Sequence, residues 1–190
     1  MPRRYGWTLQ PSDVLRRTGG RPIKSVVFDE ATIARRVREL GEEITAAYPD
    51  GELLLVGLLK GSFIFVGDLA RQIARPLQVD FLVASSYGQG TVSSGEVRLL
   101  YDPETSLTGK HILLVEDIID SGRTLRMLLA LLGERQPRSL AICALLDKHL
   151  APDPPRELRF VGFEAPPAFL VGYGLDRAED FRHLPFIADL

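Results

Sequence analysis

The chain has 190 residues, 45% hydrophobic and 25% charged, enough for one domain with a proper core. Its formal net charge of −2 gives no basic footprint for nucleic acid or an anionic membrane. No apolar run approaches the roughly 20 residues of a membrane helix, and the start, MPRRYGW, lacks the apolar stretch of a secretory leader. The one cysteine, Cys143, excludes a disulfide within the chain, and a cytosolic location is the expectation. Cys143 sits inside the apolar run LAICALL, where a small core residue belongs. His111, His149 and His183 lie far apart, without metal-ligand spacing.

Residues 1–24 are rich in Arg, Gly and Pro, show no sustained periodicity and read as a partly ordered N-terminal extension. Asp29 is placed to cap a helix whose stripe is Ile33, Val37, Leu40 and Ile44, and YPDG at 48–51 ends it. A buried strand follows at 53–59. Lys60-Gly61-Ser62 then leads into a helix carrying Phe63, Val66, Leu69, Ala70 and Ile73, closed by Pro76. Residues 79–86 and 96–101 read as the two arms of a long hairpin. Between them, YGQGTVSSG has few side chains to pack and reads as a mobile loop.

The stretch HILLVEDIIDSGRTL at 111–125 concentrates the polar chemistry. Ile112 to Val115 reads as a strand buried on both faces. Glu116 and Asp117 stand where that strand emerges, and a third carboxylate, Asp120, precedes the turn Ser121-Gly122-Arg123-Thr124. Leu125, Leu128, Leu129 and Leu132 then recur at helical spacing. Further strands are expected at 138–146, ending at Asp147-Lys148, at 158–163 and at 169–173; the tail from Arg177 is mixed. No linker divides the chain. The βαβ rhythm gives an α/β fold with a mostly parallel sheet flanked by helices, to which the hairpin and tail are additions.

Two adjacent carboxylates repel, so Glu116 and Asp117 are either solvated acids in a loop or face a cation or sugar hydroxyls. The turn that follows favours the second. The N–H groups and two hydroxyls of Asp120 to Thr124 can wrap a phosphate. Acids for ribose hydroxyls beside a phosphate cradle describe a phosphoribosyl group. Neither a Walker A loop nor a dinucleotide fingerprint is present.

VEDIIDSGRTL closely resembles the phosphoribosyl-pyrophosphate motif of type I phosphoribosyltransferases, in particular the hypoxanthine-guanine phosphoribosyltransferases of purine salvage. The resemblance runs from about Val26 onward. LLKGSFIFVGDL (58–69) resembles the family's pyrophosphate loop, SSYGQG (85–90) the start of its lid, and FLVGYGLD (169–176) with Arg182 its purine-binding end. It implies a phosphoribosyltransferase domain over 25–190, with a flexible hairpin lid and a small hood from the N- and C-terminal segments.

The resemblance also implies the site. Glu116 and Asp117 bind the ribose hydroxyls, directly or through Mg²⁺. Asp120 exchanges the purine ring proton. Asp120, Ser121, Gly122, Arg123 and Thr124 hold the 5′-phosphate. Lys60 and Gly61, with a non-proline cis peptide at Leu59-Lys60, bind pyrophosphate together with Arg182. Lys148 donates to the purine 6-oxo group, Phe169 stacks on the ring and the Leu170 backbone meets its edge. Asp176 binds a second Mg²⁺, and Ser86 and Tyr87 close over the reacting centre. Taken singly, Lys148 reads equally as a surface lysine, Phe169 as core and Asp176 as a helix cap.

The implied reaction joins hypoxanthine or guanine to phosphoribosyl pyrophosphate, in a cytoplasmic homodimer or homotetramer that binds neither nucleic acid nor membrane. The alternatives are a xanthine- or uracil-type enzyme, or a non-catalytic regulator that senses phosphoribosyl pyrophosphate. Pro166-Pro167 departs from the family's usual Pro-Asp before the aromatic residue, and Arg123 stands for a frequent Lys.

Overall fold

The computed structural model describes residues 11–86, 97–151 and 154–190. Its main layer is a six-stranded sheet in the order β4-β3-β2-β5-β6-β7: β2 (Leu53–Leu59), β3 (Gln78–Ser86), β4 (Val97–Tyr101), β5 (His111–Ile119), β6 (Ser139–Asp147) and β7 (Leu158–Glu164). All neighbours run parallel except β3 and β4, the hairpin arms, which run antiparallel.

The central strands are apolar at successive positions because both faces are covered. Leu53, Leu55, Leu113 and Val115 join one core with α2 (Glu30–Ala47) and α3 (Phe63–Ala70). Leu54, Val56, Ile112 and Leu114 join a second core with α4 (Arg123–Gly133). Cys143 is fully buried in β6, as a core residue. The Asp29 carboxylate accepts from Thr32 N at 2.7 Å, capping α2 as expected. Two expectations for α3 need correction. It ends at Ala70, well before Pro76, and Phe63 is 45% exposed. Ile73 is buried, but from the turn beyond the helix.

A smaller antiparallel sheet, β1-β9-β8, forms the hood: β1 (Ser25–Phe28), β8 (Leu170–Val171) and β9 (Ile187–Asp189). Neither β1 nor β9 is evident in the sequence. Each is short, and the two pair with each other across more than 150 positions, so no local period betrays them. The extension also holds a helix, α1 (Pro11–Arg17), and Val14 and Ile23 pack against a small core of Val171, Phe181, Leu184, Phe186 and Ala188. The His183 ring lies 3.0 Å from Arg17 O, tying α1 to the tail.

Candidate active site

Ligand sites in open α/β sheets form at the carboxyl ends of the strands. Here those ends belong to β2, β5 and β6, with the hood beside them. Strand β5 extends further than its apolar run suggests, through Ile119. Glu116 therefore lies within the strand and is buried at 9% exposure, whereas the sequence placed it at the strand exit. Pairing with Ala144 of β6 supplies the backbone bonds that carry the strand across this polar position.

Burial pushes the Glu116 carboxyl well up, and the neighbouring Asp117 charge and hydrogen bond add to this. Glu116 Oε2 has no hydrogen-bond partner among the described residues. Burial also raises Asp117, opposed by the Glu116 hydrogen bond, by backbone N–H groups including that of Ile118 at 2.9 Å, and by the Arg182 charge. A buried acid beside a half-buried one, the first with an oxygen unpartnered among the described residues, provides acceptors for hydroxyls or hard oxygen ligands for a cation.

Beyond them, Gly122 takes φ 68 and is the N-cap of α4, with no side-chain hydrogen bond at the cap. An L side chain is disfavoured there, and glycine permits it. Asp120 is therefore not the helix cap. The first bond of the α4 ladder runs from Arg126 N to Gly122 O at 3.0 Å, which leaves the preceding N–H groups at the positive end of the helix dipole. Ser121 and Arg123 are exposed, and Thr124 is half-buried. Asp120 Oδ2 lies 3.3 Å from the Lys148 ammonium at the end of β6. Lys148 N donates to Ile119 O at 3.0 Å, so the two strand ends fix this pair.

At the end of β2 the Leu59-Lys60 peptide is cis, as the resemblance implied. Gly61 carries no Cβ because the Asp117 carboxylate occupies that space. Lys60 Nζ pairs with Glu179 at 3.2 Å. Arg182 Nη2 pairs with Asp176 at 2.9 Å and with Glu179 at 3.4 Å, and its Nη1 donates to Gly174 O at 2.7 Å. The Arg182 Nε is buried without a partner among the described residues. Asp176 also accepts from Glu179 N at 2.8 Å.

Phe169 is 55% exposed and so is not a core residue, while Leu170 is buried in β8. Ser86 ends β3, and Tyr87 lies outside the described residues. The site thus has one group at β5, α4 and Lys148 and another at Lys60, Gly61, Asp176 and Arg182, with Asp117 joining them. Among the described residues no three His, Cys, Asp or Glu side chains form a metal site by themselves. Glu179 escaped the sequence reading; its spacing three residues before Arg182 was the available signal.

The model for the phosphoribosyl transferase domain matches residues 25–178. The hypoxanthine phosphoribosyltransferase of Salmonella typhimurium is 49% identical over 164 residues, 85% of this chain and 92% of the relative. The hypoxanthine-guanine phosphoribosyltransferase of Bacillus subtilis is 48% identical over 168 residues, 88% of this chain and 93% of the relative. Among solved structures, the Staphylococcus aureus hypoxanthine phosphoribosyltransferase superposes with a TM-score of 0.86 at 39% identity, covering 95% of this chain and 96% of that one.

Proposed function

The chain belongs to the phosphoribosyltransferase family, and from that membership we propose that it joins hypoxanthine or guanine to phosphoribosyl pyrophosphate. The products are the purine nucleoside monophosphate, IMP or GMP, and pyrophosphate. The observation that carries this reading is the adjacent acid pair of β5, buried Glu116 and half-buried Asp117, shortly before the glycine-capped start of α4. The names borne by relatives at 48–49% identity point to the same bases.

In this reading the N–H groups and hydroxyls from Asp120 to Thr124 hold the 5′-phosphate, and Glu116 and Asp117 hold the ribose hydroxyls. Phe169 offers its exposed face to the purine, the Leu170 backbone meets its edge, and Lys148 donates to the 6-oxo group. Asp120, next to Lys148, receives the ring proton as the purine nitrogen bonds to the anomeric carbon and the bond to pyrophosphate breaks. Lys60, the Gly61 N–H and Arg182 stabilise the departing anion. Ser86 and Tyr87 close over the centre and keep water from the cationic ribose.

Mg²⁺ fits the donors present. They are carboxylate oxygens too few to cage an ion, which suits a metal that keeps substrate phosphates among its ligands. Glu116 and Asp117 would hold one ion and Asp176 a second, and the ions would supply positive charge to the pyrophosphate. Excess chelator should then abolish turnover, and turnover that persists would remove the metal from the scheme.

We place the enzyme in the cytoplasm, as a homodimer or homotetramer whose mass analytical ultracentrifugation reads directly. No described helix is long and apolar enough to cross a membrane. The deciding assay offers hypoxanthine, guanine, xanthine, adenine and uracil with phosphoribosyl pyrophosphate and Mg²⁺. Turnover confined to 6-oxopurines is expected; preference for uracil or adenine would overturn the assignment.

A further inference from the structure

The two halves of the proposed site belong to different layers. The phosphoribosyl half rides on β2, β5 and α4; the base-facing Phe169 and Leu170 ride on the strap from Phe169 to Gly174, which belongs to the hood. Something must set one half at its working distance from the other, because reacting atoms displaced by about 1 Å can cost a hundredfold in rate.

Tyr173 lies in that strap. It takes φ 50, between Gly172 at φ 99 and Gly174 at φ 102, and its N–H donates to Leu184 O at 2.8 Å. Its side chain leaves the hood and joins the core shared with α2 and α3. There its hydroxyl donates to Asp68 Oδ2 at 2.8 Å, a contact between residues 105 positions apart. Arg71 holds the other carboxylate oxygen, so Asp68 is itself fixed on α3. That helix starts two residues after Gly61, behind Ser62, whose Oγ donates to Leu58 O at 2.7 Å.

The ring is buried, and Tyr173 and Asp68 also border a cavity of about 450 Å³ between α2, α3 and residues 183–185. The hydrogen bond to Asp68 adds a directional constraint to the packing. Burial, reinforced by the Asp68 charge, holds the phenol protonated far above ordinary working pH, so it remains a donor. One residue further on, the Gly61 carbonyl fills the space a Cβ at Gly174 would need, so the strap touches the pyrophosphate loop where this tether fixes it.

We propose that Tyr173 and Asp68 form a positioning pair that sets the purine strap relative to α3 and the pyrophosphate loop. Neither residue touches substrate. The proposal rests on the assignment of purine to Phe169 and of phosphoribosyl pyrophosphate to the β5–α4 side.

Steady-state kinetics of Tyr173→Phe, Asp68→Asn, Asp68→Ala and the double variant Tyr173→Phe/Asp68→Ala test it, beside thermal melts of each. Tyr173→Phe keeps the ring and removes only the donor. It should raise KM for the oxopurine about threefold to tenfold, the range of one hydrogen bond, and leave KM for phosphoribosyl pyrophosphate within about twofold. Asp68→Asn retains an oxygen acceptor and should stay near wild type. Asp68→Ala should match Tyr173→Phe, and the double variant should be no worse than either single.

Unchanged kinetics in Tyr173→Phe, an equal rise in both KM values, or Asp68→Asn as impaired as Asp68→Ala would each overturn the pairing. Those outcomes leave the wild type active on oxopurines. A wild type that uses no oxopurine would instead overturn the reading beneath it.

Discussion

Asp120 and Lys148 stand 3.3 Å apart, so each neutralises the other until a base arrives. In the proposed mechanism an oxopurine that accepts from Lys148 draws the ammonium away and leaves Asp120 free to take the ring proton. Asp120→Asn should therefore lower turnover by about 10²- to 10⁴-fold in a single-turnover assay, while phosphoribosyl pyrophosphate still binds in calorimetry. Lys148→Ala should weaken 6-oxopurines more than a purine without that oxygen, as competition binding would show. Glu179 offers a third check. Its carboxylate lies between Lys60 and Arg182, where the pyrophosphate charge belongs. Glu179 itself is exposed in both pairs, so Glu179→Gln should strengthen product inhibition by pyrophosphate only modestly, about twofold to fivefold. At this scale the sequence shows residue types and spacing, hence the acids and the phosphate turn. It does not show burial. The withdrawal of Glu116 into β5 follows from pairing with β6, which no local pattern encodes.

The cap of α2 gives a prediction for an element. Hydrogen bonds from the Thr32 side chain and N–H hold the Asp29 carboxyl below its ordinary value of 3.8. A lowered folded value means the stabilisation is complete above pH 3.8 and is lost as pH falls through the folded value. Asp29→Ala should therefore cost about 1 kcal/mol in denaturant titrations near neutrality. That gap should narrow below about pH 4. The Asp29 cap and the stripe of α2 were legible because helices are specified locally. β2 and β6 were legible as continuous apolar runs, the mark of parallel strands covered on both sides. β1 and β9 were not, because their residues acquire a face only when distant segments meet. The premature end of α3 was equally hidden: Ile73 continues the apolar spacing but is buried from a turn.

At the scale of the molecule, the proposed assignment puts the phosphoribosyl half on the sheet with its helices and the purine half on the hood. The α/β rhythm showed the first, while the hood was expected only from the resemblance. The hood hangs on β9, which is its middle strand: Asp189 pairs with both Ser25 and Leu170. A chain ending before Ile187 should keep the six-stranded sheet by circular dichroism and bind phosphoribosyl pyrophosphate, yet transfer it to no purine. The order of β9 along the chain carries one more consequence. In the order of synthesis it follows every other described strand, and folding follows synthesis from the N-terminal side. A nascent chain can build its phosphate cradle while β9 is still unmade. Under the proposed assignment it cannot frame a base until that strand has emerged, so base recognition is acquired after phosphate binding.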